Sequence, residues 1–140
     1  MVMEIIIYLI IGVGEYSFFN KMGVLAFVML FYLLPLVITG IFTFIEKKNM
    51  LMVNLTSSAV AFLNYVMIGY LVGNNGMWIE FAKRNTQNMG DSWVKVSSNM
   101  ISSNQIVFVL ILYFAIGYLI YYINIKLSGG VGNGRRIKSK

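Results

Sequence analysis

The 140-residue chain has no cysteine and no histidine, and only one proline. The two missing residue types remove disulfides, thiolate nucleophiles, imidazole bases and the usual soft-metal sites together. They also close the lipid-attachment routes that use cysteine. A chain without thiols is indifferent to redox, so the absence points to no compartment. Charge is scarce as well. Charged residues are 11% of the chain, against about 25% in an average soluble domain. The acids are Glu4, Glu15, Glu46, Glu80 and Asp91. No two of them stand three or four residues apart within one apolar stretch, which argues against a paired acid/base site or a dimetal site. No nucleophile elbow, P-loop or H-E-x-x-H motif occurs, and Ser57-Ser58 has no evident base. The sequence therefore reads as that of a non-enzymatic protein with no cofactor and no metal.

Apolar residues are what the chain does have, at 59%. They form four stretches, about 2–19, 23–45, 50–72 and 106–125. A spanning helix needs roughly 20 mostly apolar residues to cross a hydrocarbon core about 30 Å thick. The last three stretches reach that length. The first is shorter and carries Glu4 and Glu15, so it is expected to span with both carboxylates near its ends. A soluble protein this small cannot hide four such segments in one core. Continuous runs of this length favour helices over barrel strands, which alternate over about ten residues. The expected fold is all-α: a polytopic membrane protein with a four-transmembrane-helix bundle over 1–127, an outer loop over 73–105 and a flexible basic tail over 128–140. The N-terminal stretch reads as a retained span and not as a cleavable signal. Glu4 stands where a positive region should be, and no A-x-A site follows.

Lysine and arginine set the orientation. Lys126, Arg135, Arg136, Lys138 and Lys140 follow the fourth stretch, and Lys47-Lys48 lie between the second and third, which together are seven of the eleven basic residues. Lys21, Lys83, Arg84 and Lys95 lie on the other side. Positive residues are retained in the cytoplasm, so both termini and the Lys47-Lys48 turn are expected there. Trp78 and Trp93 then fall in the outer loop, where an amphipathic ring rests at headgroup level, and Tyr118, Tyr121 and Tyr122 cluster at the inner end of span four.

Within the spans, Pro35 removes one backbone hydrogen bond from span two, and Gly40 follows it. The freed carbonyl needs a substitute such as a neighbouring hydroxyl or a water. This pair marks a candidate kink. In span three, Asn54, Ser57, Ala61, Asn64 and Ile68 recur at three- and four-residue spacing and so share one helical face. Small and amide side chains in such a stripe let membrane helices approach closely and hydrogen-bond across the interface. Asn54, Ser57, Ala61 and Asn64 are therefore a candidate interhelical polar face; the functional alternative is a polar lining for a small solute, centred on Asn64. Glu15 is expected at the outer interface, within reach of Lys21, in preference to a buried ion site.

Outside the spans, Asn74-Asn75-Gly76 is a turn signal, and a short interfacial helix is expected around Met77–Lys83. The outer loop is too long for a plain connector and reads as a lid or a contact surface. The Gly-rich segment from Ser128 to Gly134 is a flexible linker by composition. The basic end beyond it suits anionic lipid. Trp78, Trp93, Arg135, Arg136, Lys138 and Lys140 are thus candidate contact surfaces. No nucleic-acid reader module accompanies the charges.

The stretch Leu34-Pro35-Leu36-Val37-Ile38-Thr39-Gly40-Ile41-Phe42-Thr43-Phe44, with a short charged turn after it, resembles the second span of the Msa (modulator of SarA) family of small Gram-positive membrane proteins. An Asn-containing third span, a longer outer loop and a Tyr-rich fourth span are similar too. The resemblance implies an integral membrane protein of regulatory or signalling role that modulates expression of a transcriptional regulator through protein contacts. It implies no enzymatic activity. Two other readings stand beside it: a small transporter or channel component using the polar face of span three, and a bacteriocin-immunity-type membrane protein. The expected partners are the lipid bilayer of the cell membrane and a membrane or cytoplasmic protein, with homo-oligomerisation left open.

The orientation is directly testable. A single cysteine at Ser92 should react with an impermeant thiol reagent in whole cells, and one at Ser128 should not. Labelling of Ser128→Cys from outside overturns the assignment.

Overall fold

The computed structural model describes residues 2–46, 48–87 and 99–130. Its described residues are helical almost throughout. In chain order the helices are α1 (Val2–Phe18), α2 (Val24–Val28), α3 (Leu34–Ile45), α4 (Met50–Asn74), α5 (Met77–Gln87) and α6 (Ser103–Gly130). A π-helical turn, Met29–Leu33, joins α2 and α3 into one continuous rod. Among the described residues, four helices are long and apolar enough to cross a membrane: Met3–Lys21, Val24–Ile45, Met50–Asn74 and Ser103–Leu127. The chain is an all-α four-span bundle. Its two ends are called here the tail end, where α4 begins and α6 finishes, and the loop end, where α5 sits.

The helix α4 is the axis of the packing, in contact with α1, α3 and α6. Its buried side chains are Asn54, Ser57, Ser58, Ala61, Asn64, Tyr65, Ile68, Gly69 and Val72. That face is polar in its first half and apolar toward the loop end. Lipid chains are as apolar as leucine, so membrane helices gain nothing from hiding leucine. The outward positions accordingly carry the large aliphatic residues, such as Leu63 and Met67 on α4 and Leu119 on α6, and small or hydrogen-bonding groups turn inward.

Close approach depends on glycine at one contact in particular. A Cβ at Gly117 of α6 would lie 2.6 Å from Ser58 Oγ and 3.2 Å from Asn54 Oδ1. The Gly117 carbonyl accepts a hydrogen bond from Asn54 Nδ2 at 2.8 Å, and the same amide donates to Thr43 Oγ1 at 3.2 Å. One side chain of α4 thereby ties α3 and α6 together.

Pro35 has its consequence one turn earlier. The carbonyl it leaves without an amide donor is that of Phe31, and this oxygen accepts the hydroxyl of Tyr113 from α6. The Pro35 carbonyl accepts the Tyr8 hydroxyl of α1 at 3.0 Å. Tyr8 also shares a hydrogen bond with Thr39 Oγ1 at 3.2 Å, and the Thr43 hydroxyl donates to the Thr39 carbonyl at 2.7 Å. Two tyrosines on different helices thus satisfy the interrupted span. Gly40 sits where α3 meets α6, with ordinary contact distance for a Cβ against Ile120.

At the loop end α5 folds back over the bundle after a turn in which Gly76 takes φ 71°, a left-handed conformation that suits glycine. Its inward residues Trp78 and Phe81 are buried and meet Phe19, Phe27 and, through them, Phe31. Trp78 and Phe81 stack at 5.4 Å between centroids, as do Phe27 and Phe31 at 4.9 Å. The lid is fastened by Arg84, which donates to the Asn20 carbonyl, and by Asn75 Nδ2 to Tyr16 Oη at 2.7 Å.

Gly117→Ala should lower stability by about 1–3 kcal/mol, the usual cost of forcing atoms into a packed contact. Gly14→Ala, where a Cβ meets nothing within 4 Å, should leave it unchanged or slightly raised. Thermal unfolding of the two variants in detergent distinguishes the positions.

Candidate functional site

A polar ladder runs along the contact of α1 with α4. Positions 4, 8, 12, 15 and 19 of α1 and the turn after it are buried, while the residues between them are mostly exposed. They are Glu4, Tyr8, Gly12, Glu15 and Phe19, spaced four, four, three and four apart, so α1 presents one polar stripe to the bundle. Opposite stand Ser57 and Asn64 of α4. The Ser57 hydroxyl donates to Glu4 Oε1, and Asn64 Nδ2 donates to Glu15 Oε2 at 3.2 Å. Glu4 is 1% exposed and Glu15 4%.

Glu15 is therefore enclosed by the protein and not exposed on the bundle surface. It lies about 9 Å inside the end of its span, counting 1.5 Å per residue to Lys21, and the aromatic cluster covers it from the loop end. Phe19, one turn on along the same face, is fully buried among Phe27, Phe31, Trp78 and Phe81. The expected pairing with Lys21 gives way to one with Asn64. Distance from the end of an apolar run measures depth only when nothing is folded over that end. Here α5 adds a layer.

Glu4 and Glu15 are eleven residues apart, three helical turns to within about 20°. A search at three- and four-residue spacing passes over such a pair. The signal that finds it is the whole series of Glu4, Tyr8, Gly12 and Glu15 read as one face, matched to the stripe on α4.

The remaining candidates fall into three groups. Asn54, Ser57, Ala61 and Asn64 are all buried on the inner face of α4, where Asn54 engages α3 and α6 and the other two polar residues engage α1. Pro35 and Gly40 lie on α3, with the irregularity expressed as a π turn just before the proline. Trp78, expected on an exposed surface, is 4% exposed inside the lid. Its indole carries the apolar face of α5 and offers no docking surface. Trp93, Arg135, Arg136, Lys138 and Lys140 lie outside the described residues.

A cavity of about 260 Å³ opens between α1 and α4, with Tyr8 and Asn64 in its wall among Leu9, Val60, Leu63 and Met67. It brings one side of the Asn64 amide to a space reachable from the bundle surface. Gly12 sets the other side, because a side chain there would collide with Asn64 Oδ1. No group of three or more carboxylates capable of holding a metal ion occurs among the described residues.

A double-mutant cycle on Glu15→Gln and Asn64→Leu should give a coupling free energy of about 1 kcal/mol, in the range of measured interhelical hydrogen bonds in membranes. Additive effects on unfolding would mean that the contact carries no energy. No family model, curated protein or solved structure matches the chain, so the likeness to the Msa family stays a resemblance.

Proposed function

We propose that the protein is a non-enzymatic, multi-pass cell-membrane protein that handles a proton or small cation inside its bundle, as a small transporter or channel component. One observation carries this reading: Glu15, a carboxylate within a spanning helix, is 4% exposed and paired with Asn64. An ionisable group inside a span is expensive and is kept where it does something. Packing alone is served at lower cost by the serines, threonines and asparagines that the bundle already uses. The described basic residues Lys21, Lys48, Lys83, Arg84 and Lys126 are all exposed, and the four spans hold no other, so the interior favours a positive species. The cavity between α1 and α4 gives such a species an approach to Asn64, and the aromatic lid closes the site toward the loop end.

The regulatory reading through protein contacts keeps the basic tail and Trp93 as its surfaces, without Trp78. A regulator of that kind depends on those groups, whereas an ion-handling protein depends on Glu15.

Purified protein in liposomes, given an inward potassium diffusion potential and a trapped pH-sensitive dye, should acidify or pass the cation. Glu15→Gln should reduce that flux at least tenfold while the purified variant keeps its helical content. Wild-type liposomes no leakier than empty ones, or equal flux in Glu15→Gln, would sink the proposal.

A further inference from the structure

The unsatisfied atoms of the Glu15–Asn64 pair are of one chemical kind. Asn64 Nδ2 donates to Glu15 Oε2, and the other oxygen of each group, Glu15 Oε1 and Asn64 Oδ1, is buried without a hydrogen bond. Both are acceptors. The site lacks a donor, and a buried acceptor left without one loses its hydration with nothing in exchange, the more so when charged.

A single proton remedies both deficits. Placed on Oε1 it makes Glu15 a neutral carboxylic acid with an O–H to give, and the amide oxygen of Asn64 is the orphan acceptor on the facing group. Acid and primary amide then pair reciprocally: the amide N–H donates to one carboxyl oxygen, and the acid O–H donates to the amide oxygen. The geometry points to Glu15 as a proton-binding site, its proton held in such a reciprocal acid–amide pair with Asn64. This rests on the ion-handling reading and deepens it by naming the proton as the species bound.

The surroundings favour a proton over the other positive occupants. The titratable groups facing Glu15 are tyrosines already engaged elsewhere. Tyr8 of α1 donates its hydroxyl to the Pro35 carbonyl and shares a hydrogen bond with Thr39 Oγ1, and Tyr113 of α6 donates to the Phe31 carbonyl. The neighbouring Tyr16 accepts from Asn75. Glu4, a second carboxyl group on the same helix face, accepts the Ser57 hydroxyl. A bare carboxylate here would be a buried charge with no cationic partner among the described residues, an arrangement strongly disfavoured by desolvation. A metal cation requires several hard oxygens around it, about six for the common divalent ions, and this pair has three, one of which already accepts the Asn64 amide. The amide is held to its task by Gly12, whose missing side chain makes room for Asn64 Oδ1. Loss of the proton removes one hydrogen bond from each partner at once, so binding and release change the strength of the α1–α4 contact.

Infrared difference spectroscopy on protein in liposomes reads the protonation state without reference to transport. Wild type minus Glu15→Gln at neutral pH should show the carbonyl stretch of a protonated carboxyl. The band should survive in Glu4→Gln and shift to the position of a non-bonded acid in Asn64→Leu. Only carboxylate stretches in the difference spectrum, or an acid band that appears solely when sodium and potassium are withheld, overturns the proposal. If Glu15→Gln does not reconstitute, alkaline titration of the Glu4→Gln protein serves instead: an acid band lost at high pH supports the site, and its absence at neutral pH refutes it. An acid band without flux leaves the proton site standing and removes translocation. Flux without the band removes the proton site and leaves translocation.

Discussion

A membrane-embedded bundle has no water with which to satisfy its polar atoms, so each must find its partner in the protein. In this chain that constraint falls on α4. Asn54, Ser57, Ser58 and Asn64 reach three different helices, and each bond fixes one neighbour at a definite height. Remove that stripe and nothing chooses between the many ways four greasy rods can lean together, because leucine against lipid and leucine against leucine differ little. The glycines follow from it. Gly117 and Gly12 are absences of side chain at the two places where an α4 amide needs room.

The same logic explains why span two tolerates a proline. Its defect is answered by a phenol on α6, and the proline's own carbonyl by a phenol on α1. Those two tyrosines then hold the helices that flank α4. Satisfaction of the backbone and placement of the ladder are one network. The large rings serve a second purpose. Tyr8, Tyr113 and Tyr65 are almost wholly buried, and their bodies fill space that small polar residues would leave empty.

How much of this the sequence disclosed depends on how local the cause was. Four long apolar helices were legible because a run of some twenty apolar residues has few other uses. The grouping of Asn54, Ser57, Ala61 and Asn64 was legible because helical spacing is a one-dimensional pattern. That a hydroxyl or a water would answer Pro35 followed from chemistry; that it is the Tyr113 hydroxyl did not. What escaped was decided by a second element. The depth of Glu15 depends on α5 lying over its end of the bundle, and the burial of Trp78 depends on Phe19 and Phe27 waiting beneath it. An amphipathic lid and an amphipathic surface helix have the same pattern; only the partner distinguishes them. Three-turn periodicity on α1 was present in the letters, but it becomes meaningful only once α4 supplies the opposite face.

The π turn at Met29–Leu33 leaves the two halves of span two out of phase by one residue, about 100° of rotation. Before it Phe27 faces the aromatic lid, with Phe31 inside the turn stacked on Phe27; after it, Thr39 and Thr43 face the polar ladder. A regular helix could present one set inward or the other, with the second turned toward lipid. The single extra residue is a phase key between the cover of the bundle and its interior. Anything that straightens the turn, whether a deletion or a movement of Tyr113 away from Phe31, must rotate the lid's seat relative to Glu15, so the cover and the carboxylate cannot be repositioned independently.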